Sequence, residues 1–371
     1  MTTVCSEADL LITSMPTPQL EAIASKVVQG QRLSPSEGLH VMTTEHREAL
    51  RKLADYARKV KVGDVVTFTS TLYIHPTNLC ELSCPMCSYY AKPGWNSAWL
   101  MTPDQVESKV KEFNPKGITE VHIVGGLWRG CDLSYYQDIF ARIKQINPKL
   151  HIKALTPVEY DFLAKHHGIS VEEVFHRMIS WGLGSLPGGG AEVLVEKIRK
   201  QLAPQKISSD EYLDIHRTAH RLGLPSNITV LFGSVEEDED LVTHMCRVRE
   251  LQDETKGFQA FVPLKYHLEN NALGKRQQRM KPKDIFRVYA TSRLMLDNVP
   301  DLRVQWNYVG IEEAQQMLNW GANHFSATSF EEKIILMAGG TKVKMTHDGI
   351  CELIRSMGRI PKQSTGHAHR A

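Results

Sequence analysis

The chain lacks most of the marks of membrane, secreted and nucleic-acid-binding proteins. No apolar run comes near the roughly 20 residues that a membrane-spanning helix needs,. The N-terminal stretch from Met1 to Glu7 has neither a positive start nor an extended apolar segment, so a secretory signal is not expected,. Charge is nearly balanced, with 44 basic against 42 acidic residues and no long basic run, which argues against nucleic acid or an anionic membrane as partner,. Seven cysteines in 371 residues is an odd number and a poor basis for a disulfide framework,. Cys5, Cys131, Cys246 and Cys351 stand alone, and no second Cys-x-x-Cys pair exists to complete a structural zinc site,. The expectation is a soluble, cytoplasmic protein whose thiols stay reduced.

The other three cysteines sit within eight residues, Cys80-Glu81-Leu82-Ser83-Cys84-Pro85-Met86-Cys87, with Tyr89 two residues beyond. Three thiolates on one loop can hold three irons of a cubane and leave the fourth iron without a protein ligand, where four cysteines are usual. Structural zinc and coincidence are the alternatives. This C-x3-C-x2-C segment resembles the radical S-adenosylmethionine (SAM) superfamily. The resemblance implies a [4Fe–4S] cluster on Cys80, Cys84 and Cys87, whose open iron binds the amino and carboxylate groups of SAM, and together they supply carbon radicals.

Residues from about Gln19 to Val60 read as helices,. Beyond them, β-rich runs alternate with amphipathic helices. The runs are Val65 to Ile74, Glu120 to Val124, His151 to Leu155, Asn227 to Phe232, Gln259 to Leu264 and Arg303 to Val309, with weaker ones at Leu183 to Leu186 and His324 to Ala327. Thr102-Pro103-Asp104-Gln105 is a capping box with proline in the first turn, and Val106, Val110 and Phe113 follow on one face,. Strand–helix alternation implies parallel strands, so the predicted fold is α/β. It is expected to be a (β/α) barrel of six to eight units over residues 63–330, after a helical segment at 1–62. A helical segment and polar tail at 331–371 would follow, loosely ordered from Arg359 on. In such barrels chemistry sits at the C-terminal ends of the strands, and the cysteine loop follows the first one.

Other candidates fall near strand ends. Gly125-Gly126 closes the second strand, either as a turn or as a place where backbone approaches a ligand closely,. Glu159 follows the third, as a helix-start acid or as a carboxylate facing the cavity,. Gly188-Gly189-Gly190 lacks the ending of a phosphate loop but is expected to open a helix, where free N–H groups suit a carboxylate; a flexible turn is the alternative,. His216 and His220, at helical spacing, read as surface or supporting histidines. Arg293 in an apolar helix is either a surface arginine or a clamp for a carboxylate, and His267 beyond the sixth strand is placed for proton transfer or for exposure to solvent,.

Longer stretches narrow the resemblance. Ser185 to Glu192, Ile215 to Leu224 and Arg249 to Phe261, then Val262-Pro263-Leu264, Tyr266-His267, Asn270-Asn271 and Ser292-Arg293-Leu294, look like the aminofutalosine synthase family over roughly Val65 to Leu353. That family implies addition of the 5′-deoxyadenosyl radical to the enol ether of 3-[(1-carboxyvinyl)oxy]benzoate, a chorismate-derived benzoate, then rearrangement and loss of a carboxylate. The product would be 6-amino-6-deoxyfutalosine, for menaquinone synthesis, with an electron donor such as a flavodoxin or ferredoxin. It further implies cofactor contacts from Tyr89, Gly125, Gly126, Glu159, Phe232 and Glu236, and substrate contacts from Arg293 and Gly188 to Gly190, with His267 near the rearranging centre. Leu127-Trp128-Arg129, Pro157, Ser234 and Asn323 to Thr328 depart from the family pattern, which suggests drift on the substrate side. A dehypoxanthine futalosine cyclase-type or deazaflavin synthase-type reaction, or a cluster-binding protein without catalysis, stays open.

Overall fold

Most of the strands place apolar side chains at every second position, and this alternation sets which face takes the helices,. A computed structural model describes residues 6–276, 283–342 and 345–365. The strands are β1 (Val65–Thr69), β2 (Thr71–Ile74), β3 (Glu120–Ile123), β4 (His151–Ala154), β5 (Leu183–Ser185), β6 (Ser226–Phe232), β7 (Phe258–Lys265), β8 (Asp301–Val304), β9 (His324–Ala327) and β10 (Ile360–Gln363). Every strand pairing is parallel, in the orders β10-β1-β9-β8-β7-β6 and β2-β3-β4-β5. Ser70 joins β1 to β2, and the bridge Leu186–Ser226 joins the end of β5 to β6, so the pairings lead round through both sheets. The fold is thus α/β with parallel strands, as the alternation implies.

Leu72 and Ile74, Val121 and Ile123, Ile152, Ile228 and Val230, Leu302 and Val304 join the apolar core under the helices. The residues between them meet one another on the opposite, inner face. Lys153 Nζ donates to Glu120 Oε2 (2.5 Å), Thr71 to Glu120 Oε1 (3.2 Å), Tyr73 stacks on His122, and Thr67 pairs with His324. Burial pushes the Glu120 carboxyl up, but the adjoining Lys153 outweighs it and holds Glu120 well below the ordinary range, so the pair is ionised. Four N-terminal helices, Glu7–Thr13, Pro18–Val28, Pro35–Thr43 and Arg47–Val62, precede β1. Among the described residues no helix is long and apolar enough to cross a membrane.

Several expectations need correction. The run Arg303 to Val309 is strand only as far as Val304; Trp306–Val309 is a helical turn, because Trp306 Nε1 turns back to donate to Ala327 O. The tail expected to be loose forms β10, pairing with β1 from Val65–Ile360 to Phe68–Gln363; residues 366–371 lie outside the described residues. Of the two readings of His216 and His220, the supporting one holds: both meet the Ser226 hydroxyl, at 2.9 and 2.8 Å, with His216 fully buried and His220 partly so.

Arg293 is the largest correction. It is 4 % exposed, but its guanidinium ties down the start of β8 and β9 rather than any ligand at their far ends. Its Nε donates to Gly321 O (2.8 Å), Nη1 to Pro300 O (3.4 Å) and Nη2 to Asn323 Oδ1 (2.5 Å). Asn323 belongs to this same network, donating to Asp301 and accepting from Leu302 N, so its departure from the family pattern lies away from any substrate. Arg293→Met keeps the volume and leaves these acceptors short of a donor. It should lower stability by roughly 2–4 kcal/mol in urea unfolding, with turnover per folded molecule unchanged.

Candidate active site

The C-terminal ends of the strands open into a cavity of about 320 Å³. Cys80, Cys84 and Cys87 line it, with Tyr89, Gly125, Gly126, Glu159, Gly189, Gly190 and His267 from the sequence-based candidates. Gly188, Phe232, Glu236 and Arg293 do not. Strand parity explains Phe232: Asn227, Thr229 and Leu231 of β6 face the cavity, so Phe232 turns outward into the core with Ile228 and Val230,. Glu236 is consumed locally, accepting from Gly233 N (2.6 Å), Ser234 N (2.9 Å) and Ser234 Oγ (2.7 Å). This closes the turn after β6 and accounts for Ser234 as its partner.

The cysteine loop is built by side chains that fasten it to the strand ends. Lys92 Nζ donates to the carbonyls of Cys80, Glu81 and Leu82, at 2.8, 3.0 and 3.0 Å. Asn78 holds Ser97 O and Trp99 N, and Tyr89 Oη donates to Thr77 O (2.8 Å) while Tyr89 N donates to Cys87 Sγ (3.4 Å). Burial pushes the Cys84 thiol up to about 11 and raises Cys87 as well, so their thiolates call for nearby cations,. One is present. Lys206 sits within electrostatic reach of both thiols and donates to Glu192 Oε1 at 2.6 Å. Burial alone would lower Lys206, but Glu192 and Cys84 raise it above its ordinary value.

Gly126 is required by close approach: a Cβ there would lie 2.1 Å from Leu79 O, the carbonyl just before Cys80. Glu159 is a helix-start acid as foreseen, and it also lines the cavity. Its Oε2 caps its own helix at Thr156 N (2.7 Å), and its Oε1 accepts from Gly125 N (2.9 Å). Pro157 is simply the first residue of that helix,. Burial pushes the Glu159 carboxyl up to about 7 despite these donors.

The glycine triplet does not open a helix. The next helix starts only at Glu196, because Ala191, Val193 and Leu194 are drawn into the core. Gly188 takes φ of 78° with its carbonyl held by Tyr212 Oη (2.5 Å) and Thr229 Oγ1 (2.9 Å), and a Cβ would strike Asn227 O. Only Gly189 and Gly190 reach the cavity. His267 Nε2 meets Tyr308 O at 2.9 Å, and burial lowers its pKa, favouring the neutral ring.

Comparison with known proteins identifies this arrangement. Residues 74–245 match the radical SAM superfamily and residues 255–369 the CofH/MqnC C-terminal region. An aminodeoxyfutalosine synthase of Thermus thermophilus is 36 % identical, covering 93 % of this chain and 94 % of its own. The chain belongs to the radical SAM superfamily. A 5-amino-6-(D-ribitylamino)uracil–L-tyrosine 4-hydroxyphenyl transferase of Archaeoglobus fulgidus is 33 % identical, covering 84 % of this chain and 90 % of its own. A cyclic dehypoxanthine futalosine synthase of Halalkalibacterium halodurans is 30 % identical, covering 93 % of each chain. Among solved structures, methylornithine synthase matches the fold with a TM-score of 0.75 at 16 % identity, covering 93 % of this chain and 98 % of that one.

As a radical SAM enzyme the protein uses a [4Fe–4S] cluster and SAM, and the residues present fit them. Three free thiols face the cavity, yet among the described residues no three acidic, histidine or cysteine groups converge as ligands of one ion. A cubane, which spreads its ligands over separate irons, suits that spacing better than zinc.

Cavity residues that the sequence reading passed over are Tyr73, His75, His122, Glu192, Lys206, Arg303, Asn307 and Glu332. For those on strands the signal was available, as polar residues at alternate positions: Glu120-Val121-His122-Ile123, His151-Ile152-Lys153-Ala154 and Asp301-Leu302-Arg303-Val304.

Two tests follow from this geometry. Gly126→Ala should push back Leu79 and lower iron bound per chain after anaerobic reconstitution, while the urea midpoint moves little. For Glu159 the folded pKa lies above the unfolded one. Its contribution to stability is therefore full below about pH 4 and lost as pH rises through about 7,. Glu159→Gln removes this dependence, so the variant should gain on the parent from pH 5 to 8, by up to about 3 kcal/mol in urea unfolding.

Proposed function

We propose that the enzyme transfers the 5′-deoxyadenosyl group of SAM to 3-[(1-carboxyvinyl)oxy]benzoate, with rearrangement and loss of a carboxylate, to give 6-amino-6-deoxyfutalosine for menaquinone synthesis. The support is the conjunction of a three-thiol loop with a largely apolar, walled cavity, in a chain 36 % and 34 % identical to aminodeoxyfutalosine synthases over most of its length. Cluster and SAM supply a carbon radical when bound.

The chain's own part is placement and exclusion. Gly125, Gly126 and Glu159 form the wall for the methionine end of SAM: the small residues admit its amino group, and an ammonium beside Glu159 would draw that carboxyl, lifted to about 7 by burial, into its ionised form,. Gly189, Gly190 and Asn227 flank the adenosine. Val262, Leu264 and Ile335 give the apolar sides that orient an arene and keep out stray hydrogen donors,. His267, neutral and fastened to Tyr308 O, lines the cavity as a proton partner for the rearranged product,. A flavodoxin or ferredoxin would deliver the electron.

The cyclase-type reading rests on the 30 % identical relative and differs in outcome. It leaves free 5′-deoxyadenosine, whereas transfer keeps the adenosyl group on the product. Mass spectrometry of an anaerobic reaction with reconstituted protein, reductant, SAM and the enol-ether benzoate should show adenosyl joined to the benzoate. Free 5′-deoxyadenosine as the sole product would overturn the assignment.

A further inference from the structure

The cavity holds one buried guanidinium whose hydrogen-bonding capacity is largely unused. Arg303 projects inward from β8, lines the cavity and is 5 % exposed, and neither its Nε nor its Nη2 has a hydrogen-bond partner. Buried guanidinium nitrogens are seldom left so. No carboxylate nearby is free to serve it. Glu120 is already held by Lys153 and Thr71. Glu332 accepts from the backbone of Ile334 and Ile335, at 2.8 and 3.2 Å, and burial lifts its pKa to about 7. Nor does a histidine alter the balance, since burial holds His122 at about 3 and His75 at about 4, both neutral. Glu120 and Lys153 pair with each other, and Arg303 is left as a buried guanidinium facing the cavity with two nitrogens that no carboxylate meets.

We propose that Arg303 is the substrate-carboxylate site of this enzyme, holding the benzoate carboxylate of the enol-ether substrate from the floor of the cavity. This deepens the function proposed above and rests on it for the identity of the ligand. Of the substrate's two carboxylates, one is lost in the reaction and one is kept. A guanidinium bound to the departing group would stabilise the charge that must disappear and so raise the barrier. A guanidinium bound to the benzoate carboxylate costs nothing in the transition state and fixes the ring, leaving the enol ether directed back toward the cysteine loop. Arg303 therefore takes the place first sought at Arg293, and it acts by positioning and by selecting an arylcarboxylate.

The test uses the full-length protein, anaerobically reconstituted and saturated with SAM. Dissociation constants are measured for 3-[(1-carboxyvinyl)oxy]benzoate and for its analogue with the benzoate carboxylate replaced by a carboxamide. The parent should prefer the acid by about 10- to 100-fold. Arg303→Met should abolish that preference and Arg303→Lys should keep part of it, with iron content and SAM affinity unchanged in both. A Met variant that keeps both its cluster and the preference overturns the proposal. Should the Met variant fail to load its cluster, the parent still decides, because equal affinity for acid and amide overturns it too.

Product analysis on the same samples separates this from the reaction. Selective acid binding without adenosyl transfer sinks the reaction and leaves the Arg303 site. Transfer with equal affinities does the reverse, and no binding of either compound removes both.

Discussion

Strand alternation is the constraint on which the structure depends. Short parallel strands covered by helices must give every second residue to the helix-facing core, and Leu72, Val121, Ile152, Ile228, Leu302 and Phe325 do so. The intervening positions then share one inner space and are free to be polar, provided that they satisfy one another. Pairs that bridge neighbouring strands do this: Lys153 with Glu120, His151 with Ser185, Thr67 with His324. A polar interior with its own hydrogen-bond economy is what allows the same framework to hold reactive groups at one end.

The two ends of the strands are built for different work. At the starts, Arg293, Asn323, Asp301 and the backbone of Gly321 form a closed network in which each strong donor has an acceptor, and nothing is left over for a ligand. At the far ends, polar groups are used to hold the backbone of loops in place. Lys92 gathers three carbonyls, Glu159 takes two amides, and Tyr89 is anchored to Thr77. Those contacts leave the three thiols and the glycine backbone facing the cavity. Lys206 and Glu192 add a buried ion pair beside the thiols, and Glu192 reaches it from a left-handed backbone with φ of 49°, a conformation that non-glycine residues rarely adopt,.

How much of this was legible in the chain depended on the range of the signal. Cys80, Cys84, Cys87 and Tyr89 are local, as is the capping box at Thr102 and Gln105, and short segments suffice to read them. The parallel direction of the strands followed from their alternation with helices. Failures arose where a residue's role depends on which way a strand or helix faces. Arg293 and Phe232 were assigned through the family resemblance, and neither lines the cavity. Arg303 was passed over because it sat inside a run read as β-rich and nothing more, although its polar parity with Asp301 was visible. Lys206 is different in kind: nothing in Ala203-Pro204-Gln205-Lys206 marks it, and only the folded chain brings it to the thiols.

The relatives show why the floor of the cavity carries more information about the reaction than its mouth. Proteins between 30 % and 36 % identical to this chain are named for three different reactions, so the shared scaffold does not by itself choose among them. The cluster and SAM belong to the superfamily as a whole and do not single out one reaction within it. Choice among substrates must then come from inward positions deeper on the strands, where a substitution alters charge without disturbing the core on the other face. An arginine at such a position is a strong choice. With Glu120 already matched by Lys153, a neutral ligand would leave Arg303 desolvated and unpaired, whereas an anion of the right length repays that cost. Selection against the wrong substrate is then built into the empty enzyme, as a charge that only one class of ligand can neutralise.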